Sequence, residues 1–151
     1  MPAELDPLES GSPELQGTAG RERTHPPKAR LLVVEDEARI AHFLVKGLTA
    51  EGHDVVVAED GDVGLFLAVS ERFDAVVLDL ALPGLSGLEV LARIRGERRL
   101  MPVIVLTGHD DPAARENALS AGASVFVTKP LVFEELRAAV RHLLERPPPT
   151  G

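Results

Sequence analysis

The sequence predicts an α/β domain built on a doubly wound, five-stranded parallel sheet, and two observations predict it. Five short runs rich in β-branched residues are apolar throughout rather than alternating, the pattern of strands covered on both faces. Stretches with apolar residues at helical spacing separate these runs. Five βα units in one chain wind helices onto both sides of a parallel sheet.

Taken in order, the strand runs are Leu31–Val34, Val55–Ala58, Ala75–Leu78, Val103–Leu106 and Val125–Val127. The first helical stretch carries Ile40, Phe43, Leu44, Gly47 and Leu48 on one stripe, and the last carries Phe133, Leu136, Val140, Leu143 and Leu144. Ser86 followed by Glu89 predicts a capping box at the third helix. Asp111 before Pro112 predicts the N-cap of the fourth. Gly52, Gly96 and Gly122 stand where helices should stop. The fourth helix, Asp111 to Ala121, offers an inward face of mainly Ala114, Ala118 and Leu119, so it is either a poorly packed surface helix or an element that moves.

The two ends differ from the middle. Residues 1–28 scatter Pro2, Pro7, Pro13, Pro26 and Pro27 among Ser, Gly, Glu and Thr, a mixture that buries too little apolar surface to offset ordering, so a disordered N-terminal extension is expected. Pro147, Pro148 and Pro149 cannot continue a helix, which makes 147–151 a proline-rich tail and leaves 29–146 as the folded domain. Only five residues follow Arg146, too few for an output domain. The expectation is a stand-alone domain that acts by binding a partner, with a longer chain cut at the prolines as the alternative.

Bulk properties exclude several classes. A net charge of −8 argues against general attraction to nucleic acid or anionic membrane. The absence of cysteine removes disulfides and thiolate metal sites and suits a reducing compartment. No apolar run approaches the roughly 20 residues of a membrane span, and Glu4, Asp6 and Glu9 stand where a signal peptide would be basic and then apolar. A cytoplasmic location is expected. The five histidines (His25, His42, His53, His109 and His142) show no convincing metal-binding spacing; His25, His42, His53 and His142 read as surface residues.

In open parallel sheets the ligand crevice lies at the carboxyl ends of the strands. Glu35, Asp36 and Glu37 follow the first strand, Asp79 ends the third, Thr107 follows the fourth, and Lys129 with Pro130 follows the fifth. Acids, a hydroxyl and an ammonium therefore meet on one rim. Unit charges ~4 Å apart interact by about 4 kcal/mol at an effective dielectric near 20, so clustered acids call for a cation. All-oxygen ligation favours Mg²⁺.

The segments Leu-Leu-Val-Val-Glu-Asp-Glu (31–37), Val-Val-Leu-Asp-Leu-Ala-Leu-Pro-Gly-Leu-Ser-Gly (76–87), Val-Ile-Val-Leu-Thr-Gly (103–108) and Val-Phe-Val-Thr-Lys-Pro (125–130) resemble the response regulator receiver family of two-component signalling, in order and spacing. The resemblance implies a (βα)5 flavodoxin-like fold with strand order 2-1-3-4-5. It implies that Asp79 accepts a phosphoryl group from a histidine kinase or phosphotransfer protein. It further implies that Asp36 binds Mg²⁺ directly, Glu35 through water, and Ala81 through its main-chain carbonyl. Lys129 and Thr107 would contact the phosphoryl oxygens, with Gly108 leaving the approach open. Phe126 would turn inward as Thr107 moves, changing the face formed by the fourth helix, fifth strand and fifth helix that meets a downstream protein. Ala81 and His109 border the path of the hydrolytic water and would tune the lifetime of the phosphoryl state. The chain would catalyse only its own phosphorylation and dephosphorylation.

Other classes fit less well. A hydrolase of the haloacid dehalogenase type needs a second Asp two residues after the nucleophile, where this chain has Ala81. No glycine-rich nucleotide motif follows any strand. In the winged-helix transcription-factor branch of the resembled family, paired charges join two copies. Here Arg115 is in place but Ser124 and Val125 stand where that branch has acids, so a monomer or weak dimer is expected.

Overall fold

The structure is a computed structural model that describes residues 28–108 and 112–145. Its elements alternate as predicted: β1 (Arg30–Val34), α1 (Ala38–Ala50), β2 (Asp54–Ala58), α2 (Gly61–Ser70), β3 (Ala75–Asp79), α3 (Gly87–Gly96), β4 (Val103–Thr107), α4 (Pro112–Ser120), β5 (Val125–Thr128) and α5 (Phe133–Glu145). All strands are parallel, in the order β2-β1-β3-β4-β5. Each strand extends a residue beyond its apolar run at one end, because backbone pairing continues where hydrophobicity stops: Arg30 pairs with Asp54, Asp79 with Leu106 and Thr107 with Thr128. The predicted extension and proline-rich tail lie outside the described residues, apart from exposed Lys28, whose ammonium is 3.8 Å from Asp54.

Side chains alternate across the sheet and divide the core in two. Leu31, Val33, Ala75, Val77, Ile104, Leu106 and Val127 face α1 and α5. Leu32, Val34, Val76, Leu78, Val103 and Val105 pack with Ala68, Val90, Leu91, Ile94 and Ala118 of α2, α3 and α4. On the first side, a Cβ at Gly47 would collide with the Phe133 ring, so this glycine seats α5 against α1. Phe43, placed on the buried stripe by its spacing, is 45% exposed and meets Phe133 edge-on at 5.9 Å.

Several local expectations change. Ser86 accepts the Glu89 N–H (3.2 Å), but the Glu89 carboxylate turns to Arg93 (3.4 Å), leaving half a capping box. Gly52 and Gly122 end their helices at φ 97° and 107°. Gly96 is the last residue of α3, but it does not make the left-handed turn: Arg98 at φ 61° does, with the Arg99 N–H on the Ile94 carbonyl (3.2 Å). An arginine occupies the left-handed position that favours glycine. In α4 only Ala118 is buried. Leu119 is 47% exposed, so the inward face is smaller than its composition suggested, and the Asp111 cap lies outside the described residues.

His53 corrects the surface reading of the histidines. It is buried, and its Nδ1 accepts the Ala29 N–H (3.1 Å) where the chain enters β1. Burial pushes its pKa below the usual value, against the opposing pull of Glu51 and Asp74. His42 and His142 are exposed as expected. Arg95 is the other polar anchor at this pole. Its guanidinium donates to the carbonyls of Gly122 (3.0 and 2.8 Å), Arg99 (2.7 Å) and Met101 (2.8 Å), joining α3 to the α4–β5 turn.

Candidate functional site

The carboxyl ends of β1 and β3 set the acids side by side. Glu35 and Asp79 are buried and Asp36 is exposed, with one carboxylate oxygen from each lying within 4.8 Å of the others. Backbone bonds hold the strand ends in place: the Glu35 N–H donates to Ala58 (3.0 Å) and the Leu80 N–H to Leu106 (3.0 Å). Behind Asp79, a Cβ on Gly87 would collide with the Asp79 carbonyl and the Leu80 backbone. A side chain there would push α3 away and shift the loop that carries Ala81. Reading functional groups alone did not single out Gly87; the available signal was a helix-breaking glycine directly after an N-cap serine.

Lys129 enters from the end of β5. Its Nζ lies 3.0 Å from Asp79 Oδ2 and 3.9 Å from Glu35 Oε1. The Lys129 N–H donates to the Thr107 carbonyl (2.7 Å), which ties the cation to the end of β4, and the Lys129–Pro130 peptide is cis. Asp79 Oδ1 accepts the Ala81 N–H (3.0 Å) and Glu35 Oε2 the Glu37 N–H (3.1 Å). Burial pushes Glu35 up to about 7. The Asp79 charge adds to that rise, while the Glu37 hydrogen bond and the Lys129 cation oppose it.

This set fits a small hard cation. Its donors are all oxygens, and Glu35 Oε1 is buried without a hydrogen-bond partner. A buried carboxylate oxygen left in that state is costly, and a metal-bound water would satisfy it. Thr107 is buried at the end of β4, on the same rim as Asp79 and Lys129. Phe126 sits one strand away, half-buried, with the Arg115 guanidinium 4.2 Å above its ring. A Cβ at Gly108 would meet nothing within 4 Å. The candidate tuning residue His109 lies outside the described residues, whereas Ala81 is exposed at the edge of the cluster.

Three acids, an ammonium and a buried hydroxyl thus share one rim at the switch point of a 2-1-3-4-5 sheet. The response regulator receiver domain family matches residues 31–141, and the chain belongs to it. Among curated relatives it is 43% identical to the uncharacterized transcriptional regulatory protein YkoG of Bacillus subtilis over 79% of this chain and 52% of that one. It is 38% identical to the two-component response regulator PhoP of Pseudomonas aeruginosa, over 78% and 52%. The chain thus spans about half the length of the curated relatives it matches. Among solved structures, the Francisella response regulator 1452 receiver domain superposes with TM-score 0.76 at 32% identity, covering 79% of this chain and 98% of that one. The receiver domain of the Pseudomonas aeruginosa sensor histidine kinase PA1611, which holds a magnesium ion in its active-site cleft, gives TM-score 0.73 at 29% identity, covering 80% and 100%.

Proposed function

We propose that this receiver domain takes a phosphoryl group on Asp79 from a phosphohistidine of a sensor kinase or phosphotransfer protein, with Mg²⁺ held by Asp36, Asp79, the Ala81 carbonyl and, through water, Glu35. The observation that carries this reading is the Lys129 ammonium 3.0 Å from a buried Asp79 carboxylate, beside two further acids. An Asp79 oxygen forms the new P–O bond as the donor's P–N bond breaks, and the released imidazole takes up a proton. Lys129 offsets charge spreading over the equatorial oxygens, and Thr107 donates its hydroxyl to one of them. Bound Mg²⁺ would supply further charge neutralisation at the same oxygens. The magnesium seen in the PA1611 domain supports this choice of ion.

The output of the switch is a change in the surface of α4, β5 and α5 read by a protein partner or by an adjoining domain. The described part of the chain is proposed to act without direct nucleic-acid contact and as a monomer or weak dimer. No helix of the described residues is long and apolar enough to cross a membrane. Intact-mass measurement after incubation with acetyl phosphate tests the central step. One phosphoryl group should be added to the wild-type chain when Mg²⁺ is present and none to Asp79→Ala. Equal labelling of both proteins overturns the assignment.

A further inference from the structure

A parallel sheet gathers the starts of its strands at one pole, opposite the rim that carries the acids. The order β2-β1-β3-β4-β5 sets the leads into β1, β3 and β4 side by side there. A groove of about 280 Å³ opens between the last two, lined by Arg72, Phe73, Arg98, Arg99, Leu100 and Met101 together with Glu71. Its charge is lopsided. Arg72, Arg98 and Arg99 are exposed, and among the described residues the side chains of Arg72 and Arg98 have no ion-pair partner. The Arg99 guanidinium donates to the Val69 carbonyl, which does not cancel its charge. Glu71, the single carboxylate in the lining, is already taken by Arg30 (2.7 Å). Beside these cations Leu100 is 52% exposed. The Arg95 guanidinium clamps the carbonyls of Arg99 (2.7 Å) and Met101 (2.8 Å), so this wall is shaped before anything fills the groove.

A basic groove with an exposed leucine, on a chain of net charge −8, fits an acidic segment that also carries apolar side chains. The chain itself has one. Residues 4–15 hold Glu4, Asp6, Glu9 and Glu14 together with Leu5, Leu8 and Leu15, and the first basic residue after them is Arg21. Such a stretch buries too little apolar surface to fold alone, but the groove supplies the missing surface. It is also attached nearby. Two residues after Lys28, Arg30 touches the groove's own lining: its guanidinium donates to the Arg72 carbonyl (2.9 Å) and lies 4.5 Å over the Phe73 ring. Residues 16–27 form the tether, and a chain of that length spans about 20 Å on average. Exposed ion pairs hold separate molecules together poorly. A short tether raises the local concentration of its cargo to about the millimolar range, which favours this segment over a free partner of the same chemistry.

We propose that residues 4–15 dock in the groove of their own chain, with their acids on Arg72, Arg98 and Arg99 and their leucines against Leu100. An acidic partner that reaches this pole must then displace them.

The chain has no cysteine, so Ser12→Cys gives the full chain a single attachment point for a nitroxide inside the segment. Paramagnetic broadening of the amides is then read by NMR against the reduced label. Amides of Arg72, Phe73 and Arg98–Met101 should lose about half their peak height or more, while those at the opposite rim, such as Asp79 and Ala81, keep theirs. Raising NaCl from about 0.05 M to about 0.5 M should remove most of the broadening. So should Glu4→Lys, Asp6→Lys and Glu9→Lys together, changes that lie outside the folded domain and cannot unfold it. Arg72→Glu with Arg98→Glu should do the same alone and should restore broadening when combined with the three lysine substitutions. Broadening that is absent from this pole, spread evenly over the domain or indifferent to both charge reversals overturns the proposal. So does equal broadening of an unlabelled, isotope-enriched chain mixed with a nitroxide-bearing one, which would mean that the groove takes the segment of a second copy.

Discussion

Lys129 and Asp79 form an ion pair of 3.0 Å in the resting domain, and the same ammonium lies 3.9 Å from Glu35. One cation thus faces two buried carboxylates. Lys129→Ala removes the charge that opposes the rise of the Glu35 pKa, so Glu35 should hold a proton to higher pH than in wild type. Losing one preorganised cation at a developing charge typically slows a reaction about 10²- to 10³-fold. Phosphorylation of Lys129→Ala by acetyl phosphate, followed by intact mass over time, should slow by about that factor. A rate within threefold of wild type would remove Lys129 from the transfer step.

On the proposed phosphoacceptor reading, Ala81 is expected to lengthen the life of the phosphoryl group, because its methyl offers no hydrogen bond to an in-line water. Ala81→Asn supplies an amide, and one added hydrogen bond of about 0.5–1.5 kcal/mol amounts to a two- to tenfold faster hydrolysis. Phosphate release from the two proteins in Mg²⁺ checks this. No acceleration in Ala81→Asn, together with a large slowing in His109→Ala, would make His109 the residue that sets the lifetime.

Gly47 gives a prediction whose sign separates two effects. Glycine to alanine inside a helix ordinarily stabilises by about 0.5–1 kcal/mol. Here the new methyl collides with the Phe133 ring, and overpacking of this kind costs about 1–3 kcal/mol. Gly47→Ala should therefore lower the denaturation midpoint, and adding Phe133→Leu should recover much of the loss. A stabilised Gly47→Ala variant would show that α5 moves aside without penalty.

His53 makes stability depend on pH. Its pKa in the folded domain lies below the ordinary 6.5, chiefly because burial disfavours the imidazolium. The unfolded chain therefore binds this proton first as pH falls, so the contribution is fully present above about pH 6.5 and is lost below it, toward the depressed folded value. Denaturant titrations between pH 7.5 and 5 should show His53→Asn, which keeps an acceptor for Ala29 but does not titrate, losing less stability over that range. Parallel curves for the two proteins would exclude His53 as the source.

The fold was legible because its strands are wholly apolar: Leu31–Val34 or Val103–Leu106 can hardly be anything but buried parallel strands. Much of the site was legible for a related reason. Glu35, Asp36, Asp79, Thr107 and Lys129 each stand just at or beyond a strand end, and parallel pairing in register gathers strand ends at one rim. What escaped depends on contacts between residues far apart in sequence. His53 is polar and beside a turn, so only the approach of Ala29, 24 residues earlier, buries it. Gly47 reads as a weak helix residue until Phe133 is placed against it. Arg98 rather than Gly96 takes the left-handed turn because α3 runs through Gly96 and is capped by Glu97.

The Arg95 clamp has an evolutionary consequence. All of its hydrogen bonds go to main-chain carbonyls, of Gly122, Arg99 and Met101. Carbonyls are the same in every residue, so the side chains at 99 and 101 can drift without disturbing the clamp. Position 122 is different: its φ of 107° and the Arg95 side chain that a Cβ would strike leave room for glycine alone. The joint between α3 and the α4–β5 turn is thus specified by one arginine and one glycine 27 residues apart, whichever side chains stand at 99 and 101.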